Sequence, residues 1–222
     1  MIETLFPNVD WAKLWEATLE TLYMTGMSVA ITFVLGIILG IILFLTSKEN
    51  LWESKLTYTV TSSVVNVFRS IPFIILIVLL IPFTKFLLDT IRGANAALPA
   101  LIIGAAPFYA RMVEIALREV NKGVIEAAKA MGAKTSTIIL KVLLPESMPA
   151  LISGITVTAI ALVGYTAMAG VIGAGGLGNL AYLDGFQRSR EDVTLAATIM
   201  ILVVVFLIQF IGDFFTKKLD KR

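Results

Sequence analysis

The segment 119–146 holds residues whose types and spacing suit binding to another protein. Its apolar positions recur at intervals of three and four residues, which predicts one face of a short helix. Small side chains on this face let a second backbone come close, and Glu126, Lys129 and Lys134 can lie at the rim of such a contact. The pattern suits either docking into a groove of a partner protein or an amphipathic helix on a membrane surface. The apolar positions are Val124, Ala127, Ala128 and Met131.

Gly132 and Pro145 divide this segment. Gly132 follows the first apolar set and predicts the end of the first helix, because glycine is common just after a helix C-terminus. Residues 138–143 give a second helix an apolar side, and Pro145 is expected to stop that helix. The sequence thus predicts two short helices with an elbow at Gly132.

Several kinds of active site are excluded. The chain has no histidine and no cysteine, so it has neither a Ser-His-Asp triad nor a thiolate site. It has no GxxxxGK[ST] motif, hence no P-loop for ATP. Gly173–Gly178 matches the letters of a dinucleotide-binding GxGxxG, but it follows an apolar helix-length segment, and a tight helix end is the better interpretation. We expect a protein that is not an enzyme, binds no metal or cofactor and, at a net charge of +2, binds no nucleic acid.

The elements that carry these residues are predicted to be membrane helices. Of the 222 residues, 58% are hydrophobic and 15% charged, whereas soluble domains carry about 25% charged residues. A spanning helix needs about 20 mostly apolar residues, and hydrocarbon does not tolerate open strand edges. We predict an all-α membrane protein with five transmembrane helices and a cytoplasmic loop between the third and the fourth. The predicted spans are approximately 22–45, 60–83, 98–117, 150–171 and 193–215.

Charge distribution predicts the topology. Residues 1–21 are interpreted as an external amphipathic segment, 22–215 as the transmembrane domain and 216–222 as a cytoplasmic tail. Lysine and arginine concentrate in the 46–59 loop, the 119–146 loop and the tail, which the positive-inside rule places in the cytoplasm. The N-terminus is then outside and the C-terminus inside, as an odd number of spans requires. We expect no cleavable signal peptide, because the start lacks a positive region followed by an early apolar core.

One charged residue lies inside a predicted span. Arg69 follows Asn66 by about one turn in the second span. Charge inside a membrane is costly and usually faces protein or water, which makes both residues candidates for a pathway or an interface. Snorkelling of the long side chain to the inner surface is the other interpretation, and it stays open.

The 119–146 loop resembles the EAA loop of ABC importer permeases. That family's pattern is Glu-Ala-Ala, three residues, Gly, and a later Leu-Pro. The resemblance implies that residues 125–134 form a coupling helix seated in a cleft of a separate subunit, which binds ATP and Mg²⁺. The matching residues are Glu126, Ala127, Ala128, Gly132, Leu144 and Pro145.

Other segments resemble the methionine-uptake branch of this family. The resemblance implies import of an amino acid across the cytoplasmic membrane, with L-methionine first and D-methionine as a further candidate. It also implies a permease homodimer, two cytoplasmic ATP-binding subunits, an external substrate-binding lipoprotein and contact with membrane lipid. Tyr165 and Met168 would lie near a gate at the dimer axis, with ordinary helix packing as the alternative for each. The matching segments are Phe68–Leu76, Gly104–Met112, Leu162–Gly170 and Gly173–Gly178.

Three alternatives remain open at this point. A related ABC importer for another small amino acid or an osmolyte would share the same loop. A secondary transporter or channel would show paired intramembrane acids or an inverted repeat, and neither is visible. A structural membrane subunit would use the loop as a binding site without moving any substrate.

Overall fold

The structure, a computed structural model, describes residues 6–219. Within that range the chain forms helices joined by short turns and contains no strand. The first five residues of the predicted external segment and the last three of the predicted tail lie outside the described residues. Two wide π-helical turns lie at Ile139–Leu143 and Leu180–Phe186. The helices are α1 (Trp11–Thr46), α2 (Lys55–Ser70), α3 (Phe73–Leu79), α4 (Ile81–Leu88), α5 (Ala94–Arg118), α6 (Lys122–Ala130), α7 (Thr135–Ile138), α8 (Leu144–Val171), α9 (Gly176–Asn179) and α10 (Glu191–Leu219).

Four helical stretches in the described range are long and apolar enough to span a membrane: α1, α5, the continuous α7–α8 helix and α10. A fifth span results if the bent pair α2 and α3 counts as one. The predicted all-α membrane fold is confirmed. On α10, Phe206, Phe210 and Phe214 follow each other at four-residue intervals and are 68%, 71% and 55% exposed. Such a stripe is suited to hydrocarbon rather than to water.

The first membrane helix is longer than the predicted span. Asp10 caps α1, because its side chain accepts hydrogen bonds from the backbone N–H groups of Ala12 and Lys13. The 36 residues of α1 extend about 54 Å, against a hydrocarbon core of about 30 Å. Residues 11–21, which the sequence predicts to lie in an external amphipathic segment, form the first turns of this same helix.

The second predicted span, 60–83, is not a single helix. The axes of α2 and α3 are bent by 104° where Ile71 and Pro72 separate them. Pro72 has no N–H to continue the helical ladder and disfavours helical geometry in the residue before it. Ile71 is accordingly extended, with φ −80° and ψ 122°. The predicted span 60–83 is thus made of two helices that meet at a bend, and Arg69 lies in the last turn before the break.

The third span and the loop after it tolerate their prolines. Helix α5 continues through Pro99 and Pro107. After the loop, the expected stop at Pro145 was wrong, because residues 135–171 form one helix of 37 residues. In its π-helical turn the Leu144 N–H donates to the carbonyl of Ile139, five residues back. Pro145 lies where this wider spacing returns to the α-helical one, a shift that accommodates its missing N–H.

Two glycines allow α1 and α5 to pack at very short distance. A Cβ added at Gly36 would lie 2.4 Å from Cδ1 of Tyr109. At Gly40 it would lie 2.5 Å from Cβ of Val113 and 2.7 Å from the carbonyl oxygen of Ala110. The Gly36/Gly40 pair therefore acts as a small-residue packing motif between membrane helices.

We predict that Gly40→Ala destabilises the protein by about 1–3 kcal/mol, because the added methyl group collides with backbone as well as side-chain atoms of α5. The matched control is Gly26→Ala on the same helix, where an added Cβ meets nothing within 4 Å. Thermal unfolding of both variants in detergent measures the difference. Equal melting temperatures for the two variants would contradict the close packing.

Candidate functional site

The 119–146 loop forms a short helix held at both ends. Asn121 caps α6, because its side-chain oxygen accepts a hydrogen bond of 2.8 Å from the Gly123 N–H. At the other end Gly132 has a φ of +75°, which glycine adopts without strain. The Ala133 N–H then donates to the carbonyl of Ala128 at 3.1 Å and closes the helix end. The elbow predicted at Gly132 is present, while the helix itself ends at Ala130 rather than at residue 134.

Helix α6 has one buried and one exposed side. Ile125 and Ala128 are buried in a cluster that includes residues of α1, α5 and α8. Val124, Ala127 and Met131 are exposed, the last at 81%. Of the four positions predicted to share one face, Ala128 therefore turns inward. The helix is anchored on its inner side and leaves an apolar strip uncovered on its outer side.

The remaining motif positions lie around this strip. Glu126 and Pro145 are exposed, whereas Leu144 is partly buried against the cluster that holds Ile125. A Cβ added at Gly132 would meet nothing within 4 Å, so the space beside the elbow is open. The six residues that match the EAA pattern thus divide into an exposed set and an anchoring pair, Ala128 and Leu144.

An ion cluster around a buried carboxylate lies at the C-terminal end of α5. The carboxylate of Glu114 is 2% exposed and accepts hydrogen bonds from Arg111 at 2.5 Å and from Arg118 at 2.7 Å. The hydroxyl of Tyr58 on α2 also donates to it at 3.3 Å. A carboxylate buried among two guanidinium groups and a hydroxyl has its charge and lone pairs satisfied.

Arg111 extends this cluster along α2. Its second guanidinium nitrogen donates to the hydroxyl of Ser62 at 3.0 Å and to the side-chain oxygen of Asn66 at 2.9 Å. Asn66, a candidate for the pathway, therefore contacts α5 rather than sharing a site with Arg69. The cluster fastens α2 to the end of α5, four residues before α6 begins.

Sequence reasoning missed this cluster, although a signal was present. Arg111, Glu114 and Arg118 are spaced three and four residues apart, so they share one side of a helix. That spacing was visible in the sequence. The contribution of Tyr58, Ser62 and Asn66 was not, because it depends on how α2 crosses α5.

Arg69 and Tyr165 line one cleft. The ring of Tyr165 on α8 stacks on Phe73 of α3, with centroids 4.4 Å apart and planes inclined by 4°. The guanidinium carbon of Arg69 lies 5.9 Å from the centroid of Phe108 on α5. The cleft has a volume of about 240 Å³, and Met168, one turn beyond Tyr165, is exposed. The structure therefore brings two of the four predicted pathway residues to one place.

The C-terminal end of α8 and the turn after it are held by α1. Glu20 accepts a hydrogen bond of 2.6 Å from the Gly176 N–H, and the hydroxyl of Thr21 accepts one of 2.9 Å from the Leu177 N–H. A Cβ added at Gly175 would lie 2.5 Å from a Glu20 carboxylate oxygen. The glycines of 173–178 thus permit a tight turn against α1, and a helix rather than a strand precedes them.

Comparison with known proteins gives consistent matches. Residues 33–222 match the family described as binding-protein-dependent transport system inner membrane component. The methionine import system permease protein MetP of Bacillus subtilis (strain 168) is 68% identical over 222 residues, which is 100% of both chains. The probable D-methionine transport system permease protein MetI of Pasteurella multocida (strain Pm70) is 44% identical over 95% of this chain and 99% of its own length. A structure of the inward-facing MetNI methionine ABC transporter has a TM-score of 0.93 at 42% identity, covering 96% of this chain and 100% of that chain.

We predict that Glu114→Gln destabilises the protein by about 1–3 kcal/mol, because Arg111, whose side chain is 19% exposed, loses its counter-charge, whereas Arg118, at 46%, can turn to water. Asp89→Asn is the matched control. It removes one carboxylate from an exposed position with a φ of 55°, a conformation that asparagine tolerates. Thermal unfolding in detergent measures the melting temperature of each variant. Equal melting temperatures for the two would refute the structural importance of the ion cluster.

Proposed function

The chain belongs to the family of binding-protein-dependent transport system inner membrane components, and we propose on this premise that it is the permease subunit of an ABC importer for methionine. The observation that carries the proposal is the full-length identity of 68% to a protein named as a methionine import permease. Relatives named for D-methionine, such as the one at 44% identity, make the D enantiomer a second substrate.

ATP hydrolysis belongs to a different subunit in this proposal. The chain has no P-loop, so energy must reach it through a contact. The exposed strip of Val124, Ala127 and Met131 provides a surface for that contact, with Glu126 and Lys129 beside it. A short helix with one apolar side suits a groove in a partner protein. Two such ATP-binding subunits, each with its ATP and Mg²⁺, would serve a permease dimer.

The buried side of α6 would pass movement of the ATP-binding subunit on to the membrane helices. Ile125 and Ala128 share a core with Tyr109 of α5 and Leu151 of α8. A rigid core passes displacement on rather than absorbing it. Movement of α6 by the ATPase would therefore move α5 and α8 together, and α8 carries Tyr165 to the cleft. We assign Tyr165 and Met168 to the pathway and its gate.

The assembly follows from the same reasoning. One chain with at most five spans has little surface with which to enclose a path, and a symmetric homodimer supplies the second half. An external binding protein would deliver methionine to the outer side, where the first turns of α1 hold the 173–178 turn. The N-terminus is then outside and the C-terminus in the cytoplasm.

Glu114 argues against a proton-coupled secondary transporter. It is the buried carboxylate of α5, and two arginines hold it. Acids that carry protons through a membrane protein line a pathway, whereas this carboxylate is enclosed by the guanidinium groups that it binds. The buried acid is therefore better suited to fixing helices than to carrying protons.

We expect proteoliposomes that contain permease, ATPase and binding protein to accumulate methionine when supplied with ATP. Ala127→Glu should abolish accumulation while membrane insertion stays intact, because a carboxylate enters the apolar strip. Gly132→Trp should act likewise, because it fills the open space at the elbow and strains a positive φ. Lys218→Glu, a charge change at the exposed end of α10, is the control and should transport normally. Normal uptake by both loop variants would remove α6 from energy coupling.

The orientation can be tested with single cysteines, since the chain has none of its own. In the first predicted cytoplasmic loop Lys48 is exposed and therefore suitable, whereas its neighbour Ser47 is buried. Lys48→Cys and Lys218→Cys should resist an impermeant thiol reagent added outside the cell, and Gln187→Cys should react. The reverse labelling pattern would invert the topology.

A further inference from the structure

Arg69 differs from the other arginines of the membrane helices in lacking a counter-charge. Arg111 and Arg118 are both paired with Glu114. Across residues 6–219, no carboxylate lies within salt-bridge distance of the Arg69 guanidinium, and its recorded contact is the ring of Phe108. A charged side chain on a membrane-spanning segment usually faces the interior of the protein or a water-filled cavity and marks a substrate or ion pathway. The group is thus free to bind a ligand.

The walls of the cleft beside Arg69 suit an apolar side chain. Phe73 and Tyr165 form a flat stacked pair, and Phe108 stands opposite the guanidinium. Leu76 and Gly104 complete the lining on the side of α3 and α5. Aromatic rings make favourable contacts with thioether sulfur. The cleft, of about 240 Å³, is smaller than the range of about 300–1,000 Å³ typical of drug-sized ligands, and therefore suits a small molecule.

The cleft also lies at a break in a membrane helix. Arg69 is in the last turn of α2, and α3 leaves at an angle of 104°. Transporters commonly form substrate sites where a spanning helix is discontinuous, because the break opens space and frees polar groups at membrane depth. The position of the cation is thus where a substrate site is expected on general grounds.

We propose that this cleft binds the transported amino acid within the permease itself, with Arg69 holding the α-carboxylate and the aromatic rings holding the thioether side chain. The proposal rests on the proposed function, since methionine is the substrate that the rings would accept. A guanidinium offers paired N–H donors that match the two oxygens of a carboxylate. Uptake through the permease would then be selective for amino acids whose carboxylate is free.

The lining predicts an unusual ligand preference. Among the residues of 6–219 that line the cleft none is acidic, so the α-amino group of a bound amino acid has no charged partner from them. N-acetylmethionine should therefore bind about as well as methionine. Methioninamide, which keeps the amine but lacks the carboxylate, should bind about tenfold more weakly or worse, the loss expected for one charge-assisted interaction.

The test is equilibrium binding of these three ligands to the permease–ATPase complex in lipid nanodiscs without binding protein. Arg69→Gln should weaken methionine binding about tenfold or more and should erase the preference over methioninamide. Lys85→Gln is the matched control, because it removes one exposed positive charge that does not line the cleft. Arg69→Lys, which keeps the charge but loses the paired donors, should fall between wild type and Arg69→Gln.

Size-exclusion chromatography shows whether the Arg69 variants are assembled, since both should elute as the intact permease–ATPase complex. Undetectable methionine binding to the wild-type complex, equal affinities in wild type and Arg69→Gln, or preference for methioninamide over N-acetylmethionine would each overturn the cleft as a site. Proteoliposome uptake separates this failure from failure of the proposed function. Equal uptake by wild type and Arg69→Gln refutes the cleft alone, whereas no uptake by the wild type refutes the function.

Discussion

The apolar core shared by α6 and the adjoining ends of α1, α5 and α8 is the feature on which the position of the loop and its coupling to the membrane helices depend. Ile125 and Ala128 of α6 are buried with Tyr109 of α5 and Leu143 next to α8. A loop helix with polar ends would be mobile without that burial, because backbone ordering costs about 1–2 kcal/mol per residue. With it, the helix is a fixed projection of the membrane domain. Its exposed side is available for contact with a partner protein. Its buried side packs against α5 and α8, so a displacement of α6 would also displace these two helices.

Two kinds of membrane arginine illustrate how the same group serves structure or binding. The guanidinium of Arg111 donates to Glu114, Ser62 and Asn66, and these bonds hold α2 against α5. Arg69 lies about one turn beyond Asn66 on the same helix, yet within residues 6–219 it has no salt bridge, and its guanidinium lies 5.9 Å from the ring centroid of Phe108. Arg111 finds a carboxylate on its own helix, three residues away, whereas Arg69 on α2 meets a phenyl ring of α5. A structural and a binding charge can thus lie on neighbouring helices and differ only in the groups beside them.

Much of this arrangement could be read from the sequence. Long apolar runs gave the membrane class, the spacing in 122–131 gave the loop helix, and Gly132 gave the elbow, because each signal is local. The bend at Pro72 was locally encoded too, but an apolar run around it masked the break. The continuity through Pro145 was not readable, because it depends on a change of hydrogen-bond spacing one turn earlier. The stacking of Phe73 on Tyr165 was beyond sequence reasoning, since the two rings are brought together by separate helices.

The uninterrupted helix from Thr135 to Val171 makes the 119–146 loop the short arm of a lever. Tyr165 lies thirty residues from its start, which corresponds to about 45 Å along a helical axis. A tilt of about 5° around the loop end would sweep the Tyr165 ring through about 4 Å over this length. Such a sweep is comparable to the 4.4 Å that separates its ring from that of Phe73. A change in angle too small to disturb the inner core would therefore be enough to part the stacked rings.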